Sequence, residues 1–294
     1  MATTRGALGR TSWSIKESEI DALCSLDEVV LQPMQGGLEA SAYLVAAGDA
    51  RYVLKVWDRA SRTDVEYQYR LLRALWDKGL GVSKPLGAGA DEAGHPALLT
   101  SYDGAPLTKL DKGGIAKIAE LMAGIHRFES DEAACGLRLQ RHDFAGYFFP
   151  GLDAFPDLRE QLTGLLHVAK PRQDAVIHGD LHLGNIVEAD GRYTSIDWTN
   201  GQLGDPGYDL MWAVAITRIY VSARLAEGLK RAYLACNPYP EERLRPFEAI
   251  AFLRWLLLHR QGHLPVAAPA RKRIEALIRD NEYLHGKNLF PVRA

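Results

Sequence analysis

The sequence predicts an α+β chain of two lobes, a small antiparallel sheet with one main helix followed by a larger, mostly helical part. Three observations predict it. Short β-branched and aromatic runs separated by glycine-bearing turns fill the first hundred residues, apolar residues at helical spacing dominate from Asp111 onward, and 294 residues at 47% hydrophobic supply material for a sizeable core. Strands that precede helices, rather than alternate with them, segregate into separate layers. The joint is expected near Ser101 to Pro106, giving an N-terminal lobe over residues 1–103 and a C-terminal lobe over 104–294.

The elements follow in order. Glu28–Met34 (EVVLQPM), Ala40–Gly48 (ASAYLVAAG) and Arg51–Trp57 (RYVLKVW) read as strands of a meander, divided by turn signals at Gly36-Gly37 and Gly48-Asp49. A helix is expected from Arg62 to Lys78, where Val65, Tyr69, Leu72 and Trp76 recur at helical spacing and Gly79 supplies a stop. Pro96–Tyr102 reads as another strand, and DGAPL after it breaks regular structure. Gly114–Phe128 is amphipathic through Ile115, Ile118, Leu121, Met122 and Ile125. A second helix is expected over Leu158–Val168, after an irregular stretch rich in Gly, Pro and aromatics. Helices return from Tyr208 to the end. Within them Ile250–His259, broken by Arg254, is too short to span a bilayer and reads as a buried helix.

Composition narrows the partners. A net charge of −2 gives no basic field for general nucleic-acid binding, and no run suits a membrane span, so neither partner is expected. Cys24, Cys135 and Cys236 are odd in number and far apart, which makes neither a disulfide framework nor a metal pattern and points to a reducing, cytoplasmic compartment. The N-terminal residues contain no apolar run that could serve as a signal-peptide core.

The stretch VIHGDLHLGNIV, Val176–Val187, concentrates polar side chains and admits three readings. His178, Asp180 and His182 form an H-x-D-x-H triplet that suits zinc or iron, although the remaining seven histidines are scattered and form no second cluster. A polar turn after a strand is an ordinary feature, and Gly and Asn are turn formers. The third reading is catalytic. His178-x-Asp180-x-x-x-x-Asn185 has the spacing of a phosphoryl-transfer loop. There an Asp at the apex accepts the proton of an attacking hydroxyl, and an Asn one turn later offers Mg²⁺ a neutral oxygen.

That third reading makes demands elsewhere, and the sequence meets them in order. A second metal-ligating carboxylate is Asp197 in YTSIDWTNG. An upstream lysine on a strand is Lys55 in YVLKVW, with Leu54 and Val56 turned to the other face. A glycine-bearing turn before it holds Gly36 and Gly37, with Ser41 as a hydroxyl donor. A helical acid after it is Glu66, with Asp64 second.

With these stretches in place the sequence resembles the aminoglycoside phosphotransferase and choline kinase family, small-molecule kinases with a protein-kinase-like fold. The carrying residues are VIHGDLHLGNIV, SIDWTNGQLGDPGYDL and QGGLEASAYLV followed by YVLKVW, and the resemblance spans Leu31 to Ala215. It implies that Asp180 is the catalytic base and that Asn185 and Asp197 bind Mg²⁺. Lys55 would contact the ATP phosphates and pair with Glu66, while Gly36, Gly37 and Ser41 would complete the nucleotide site. His178 would brace the loop, and His182 would brace it or meet the substrate. Asp205 and Asp209 in GDPGYDL look structural, as an N-cap and a first-turn acid. Ser101 stands where these kinases often carry an acid before the aromatic.

The implied reaction moves the γ-phosphate of ATP, with Mg²⁺, to a hydroxyl of a small molecule: an aminoglycoside-like antibiotic, an amino alcohol, an amino acid or a sugar. A nucleotide-binding pseudokinase and a metallohydrolase using the H-x-D-x-H triplet are the alternatives. A protein kinase is disfavoured, because Asp197 to Pro206 is too short for an activation segment. From Pro206 to Ala294 there are 14 Lys and Arg against 8 Asp and Glu, which argues against a polycation docking on the C-terminal helices. Asp131, Glu132, Asp143, Asp153 and Asp157 are the counterweight. Phe144, Tyr147, Phe148, Phe149 and Phe155 either line a pocket or belong to the core.

Overall fold

A computed structural model describes residues 8–26, 29–34, 40–61, 63–107, 110–129 and 137–290. The chain separates into two compact units. One gathers the residues up to Ala105 with the excursion Val187–Thr199, and the other holds Pro106–Glu129, Leu139–Ile186 and Asn200 onward.

The first unit contains β1 (Ser12–Lys16), α1 (Ser18–Ser25), β2 (Val30–Pro33), β3 (Ala40–Ala47), β4 (Ala50–Trp57), α2 (Val65–Asp77), β5 (Pro85–Ala90) and β6 (Pro96–Ser101). The strands form a six-stranded sheet of order β1-β5-β6-β4-β3-β2, antiparallel throughout. The expected meander is β2-β3-β4. Beyond it the structure adds β1, α1 and β5. The reason β5 escapes composition is its sequence, PLGAGA, which reads as a loop. Its glycines are what permit the pairing: a Cβ on Gly89 would lie 2.1 Å from the carbonyl oxygen of Ser12 on β1.

One face of the sheet buries Val45, Leu54, Ala97 and Leu99 against Leu8 and against Ile20 and Leu23 of α1. Helix α2 packs on β5 and β6. Asp64 caps it, accepting the Tyr67 N–H at 2.9 Å, and Leu71, Leu72 and Leu75 are buried.

The short strand β7 (Ala105–Pro106) joins a small sheet with two later strands. The second unit contains α3 (Lys112–His126), α4 (Phe144–Phe148), α5 (Pro156–Ala169) and β8 (Ala175–Ile177). The chain then forms the hairpin β9 (Ile186–Ala189) and β10 (Arg192–Ser195), and the order of that small sheet is β10-β9-β7. Asp190 and Gly191 both have positive φ, 51° and 78°, as a two-residue primed hairpin turn requires. The chain returns to the second unit through β11 (Gln202–Gly204), which pairs antiparallel with β8. Helices α6 (Pro206–Tyr220), α7 (Ala223–Cys236), α8 (Glu241–Arg260) and α9 (Ala268–Asp280) complete it.

Helix α8 is the centre of this unit. Its residues from Phe247 to Leu257 are buried, and α5 and α6 pack on it. Asp205 caps α6 by accepting the Gly207 N–H at 2.9 Å, and Pro206 occupies the first helical position. Among the described residues no helix is long and apolar enough to cross a membrane.

Candidate active site

The loop between β8 and β9 is held by its backbone. Asp209, on the first turn of α6, turns its carboxylate toward it. One oxygen accepts the His178 N–H at 3.0 Å and faces His126 Nε2 at 3.0 Å; the other accepts the Gly179 N–H at 2.9 Å. Burial works against this carboxylate, but the hydrogen bond and charge of His126, with help from His178, outweigh it and hold its pKa below the ordinary range. His126 continues the chain of contacts to the Tyr233 hydroxyl at 2.6 Å, which accepts from Asn237 Nδ2 at 2.7 Å.

Gly179 has φ +78°, and a Cβ there would lie 2.7 Å from the Asn200 carbonyl oxygen. The sequence H-G-D is therefore a steric requirement of this turn. His178 is fully buried, and its Nδ1 accepts the Asp180 N–H at 3.3 Å. The Asp180 carboxylate is only partly buried. Asn185 donates through Nδ2 to the Asp180 carbonyl at 3.0 Å, a bond that does not use its amide oxygen, which is an acceptor. His182 Nδ1 accepts the Gly184 N–H at 3.0 Å and caps the turn Leu183–Asn185, with Nε2 3.9 Å from the Asp180 carboxylate.

A further cation enters from α8. Arg254 is buried, and its Nη1 donates to the Gly179 carbonyl at 2.6 Å and to the Tyr208 hydroxyl at 3.1 Å. Its Nη2 lies 3.5 Å from Asp180 Oδ1. The guanidinium carbon sits 4.1 Å from the Trp212 ring centre and 4.9 Å from that of Phe148. Burial disfavours the charge, yet Tyr208 and Asp180 raise the pKa above the usual arginine value, so the group stays a cation.

In the first unit, Lys55 Nζ is 2.9 Å from Asp197 Oδ1, and Thr199 Oγ1 donates to the same oxygen at 3.1 Å. Asp197 has φ +65°, an uncommon conformation for a residue other than glycine. The strand before it is pinned where the Ser195 N–H and hydroxyl both donate to the Gly81 carbonyl, at 2.8 and 3.0 Å.

Two expectations need correction. Lys55 does not pair with Glu66. Glu66 is only partly buried and pairs with Arg70 one turn on, at 3.0 Å, while the buried positions of the first turns are Val65, Tyr67, Gln68 and Tyr69. Ser41 does not share a face with Lys55, because the register pairs Ser41 with Val56 and Ala42 with Lys55. Gly36, Gly37, Asp131 and Glu132 lie outside the described residues. Ser101 gives its hydroxyl to the Asp103 carboxylate at 2.9–3.0 Å.

The metal triplet does not assemble either. Both its histidines turn a ring nitrogen to their own backbone, and among the described residues no group of three His, Cys, Asp or Glu could hold a metal ion. The aromatic run is largely core: Phe148 and Phe149 are buried, and Phe144 packs 4.7 Å from the Tyr208 ring. Its acids are engaged, Asp143 as the cap of α4, Asp153 with Arg159 and Asp157 with Arg260.

Comparison with known proteins identifies the family. The model of the phosphotransferase enzyme family (APH) matches residues 30–247. The chain belongs to the phosphotransferase enzyme family. Among curated proteins this phosphotransferase is similar to the homoserine kinase of Burkholderia ambifaria, 26% identical over 156 residues. That match covers 53% of this chain and 45% of the kinase, so it spans under half of the relative's length. Among solved structures, the aminoglycoside phosphotransferase APH(4)-Ia in a ternary complex with ADP and hygromycin B has a TM-score of 0.65 at 19% identity, covering 92% of this chain and 99% of that one. Plasmodium vivax ethanolamine kinase has a TM-score of 0.63 at 15% identity, covering 89% and 85%. The two neighbours share the fold of this phosphotransferase, the protein-kinase-like fold expected.

Sequence reasoning about this phosphotransferase missed two things. Asp209 is more than a first-turn acid, since it holds the loop by its amides. Arg254 was legible as the only charge in IAFLRWLLLH, and a lone arginine in a buried helix must be paired.

Proposed function

We propose that this phosphotransferase transfers the γ-phosphate of ATP to a hydroxyl of a small molecule, with Asp180 as the base. The observation that carries the reading is the Asp180 carboxylate, partly exposed at the head of a loop whose backbone is fixed by Asp209. In this reading Asp180 takes the hydroxyl proton, the oxygen attacks the γ-phosphorus, and the bond to the bridging oxygen of ADP breaks. Lys55 holds the phosphates, and residues 1–103 serve the nucleotide while 104–294 serve the acceptor.

Asp197 and Asn185 present a carboxylate and an amide oxygen, the hard donors Mg²⁺ prefers, and the ammonium of Lys55 already lies against Asp197. When bound, the metal would offset charge on the phosphate oxygens. ATP is supported by the ADP complex of APH(4)-Ia. Free Cys24 and Cys236 fit a cytoplasmic setting.

The test is ADP release from MgATP with homoserine, ethanolamine, ribose and hygromycin B in turn. At least one is expected to stimulate release, and Asp180→Asn is expected to abolish the stimulated part. Full stimulated activity in that variant refutes the base assignment.

A further inference from the structure

We infer that Arg254 is a positioning residue for the phosphotransfer, holding both the carboxylate and the peptide that carry the reaction. The inference rests on the reading of Asp180 as the base.

Position 179 of the loop does not supply a cation. At position 179 the backbone is left-handed and a Cβ would lie 2.7 Å from the Asn200 carbonyl oxygen, so a side chain there is strained. The guanidinium comes instead from α8, 74 residues away from Asp180 in sequence. It binds the Gly179 carbonyl from one side while Asp209 binds the Gly179 N–H from the other. The peptide planes before and after Gly179 are thus fixed by groups of opposite charge on two helices. Nη2 of the same guanidinium lies 3.5 Å from Asp180 Oδ1, which biases that carboxylate oxygen toward Arg254, while Oδ2 lies 3.9 Å from His182 Nε2.

The guanidinium has no slack. Trp212 and Phe148 cover its faces and the Tyr208 hydroxyl takes another N–H. A planar, five-donor group suits these partners, whereas a lysine ammonium can satisfy only part of them. None of the partners is itself a reacting group except Asp180, so Arg254 acts through the base.

The experiment compares the full chain with Arg254→Met, Arg254→Lys, Arg254→Ala and Asp180→Asn, using whichever of homoserine, ethanolamine, ribose, hygromycin B or water gives the fastest ADP release from MgATP. Arg254→Met is expected to lower kcat by about 100-fold, the scale of a displaced catalytic group, with KM for MgATP changed less than about twofold. Arg254→Lys should recover part of the rate, and added guanidinium below denaturing concentration should raise the rate of Arg254→Ala but not of Asp180→Asn. A kcat for Arg254→Met within about threefold of wild type, with Asp180→Asn inactive, overturns the inference. Full activity in Asp180→Asn overturns the base assignment instead. Should none of the acceptors release ADP, or the variants fold poorly, hydrogen exchange of the wild type and Arg254→Lys decides: faster exchange at the Gly179 and Asp180 amides, with α6 unchanged, supports the role, and equal exchange overturns it.

Discussion

Replacing Asp209 by Asn probes the backbone clamp with little change in volume. The carboxylate accepts from three donors, His178 N and His126 Nε2 on one oxygen and Gly179 N on the other. An amide keeps one acceptor oxygen. Its better orientation keeps the oxygen toward His178 and His126 and turns the NH₂ toward the Gly179 N–H, setting donor against donor. One charge-assisted hydrogen bond is lost, at about 1.5–3 kcal/mol, and the other two fall to neutral strength, at about 1 kcal/mol together. The total is about 2.5–4 kcal/mol, a large share of the roughly 5–15 kcal/mol that separates folded from unfolded protein. Urea denaturation of the two proteins at neutral pH measures it through the midpoint shift at constant slope. A loss below about 1 kcal/mol would mean that the loop is held by something other than this carboxylate, since an ordinary substitution costs as much.

Two further outcomes follow from the same loop. Because the native Asp209 pKa lies below its unfolded value near 4, its contribution is complete above about pH 4 and is lost as pH falls through the lower native value. The stability gap between wild type and Asp209→Asn should therefore narrow only below about pH 4, as pH-dependent urea titrations would show, and a gap that narrows already between neutrality and about pH 5 contradicts the assignment. Gly179→Ala forces a left-handed alanine at a cost of about 1–2 kcal/mol and places a Cβ 2.7 Å from the Asn200 oxygen. The variant should melt lower and lose kcat more than KM for MgATP, and a variant with unchanged melting temperature speaks against the steric argument.

What could be read from the sequence was local. The spacing of His178, Asp180 and Asn185, the Asp197 that follows within one hairpin, and Lys55 amid strand alternation are all short-range patterns, and the elements they need sit where those patterns put them. What could not be read depended on phase or on distance. Glu66 required the rotation of α2 about its axis, and a shift of one or two positions exchanges an inward for an outward residue. Ser41 failed through the same kind of parity, with the two-residue repeat of a strand. Strand β5 was hidden because its Gly and Ala residues serve close approach rather than propensity. Arg254 meets Asp180 across 74 residues, and nothing short of packing α8 against α6 brings them together.

The hold on the loop has a consequence for redesign. Asp209 and Arg254 engage main-chain atoms of His178 and Gly179, which every sequence with glycine at 179 would present alike. Side chains outside this hold can then be varied while the peptide that carries Asp180 keeps its course. A library built for altered acceptor preference should spare Asp209, Arg254, Gly179 and His126, and vary what surrounds them.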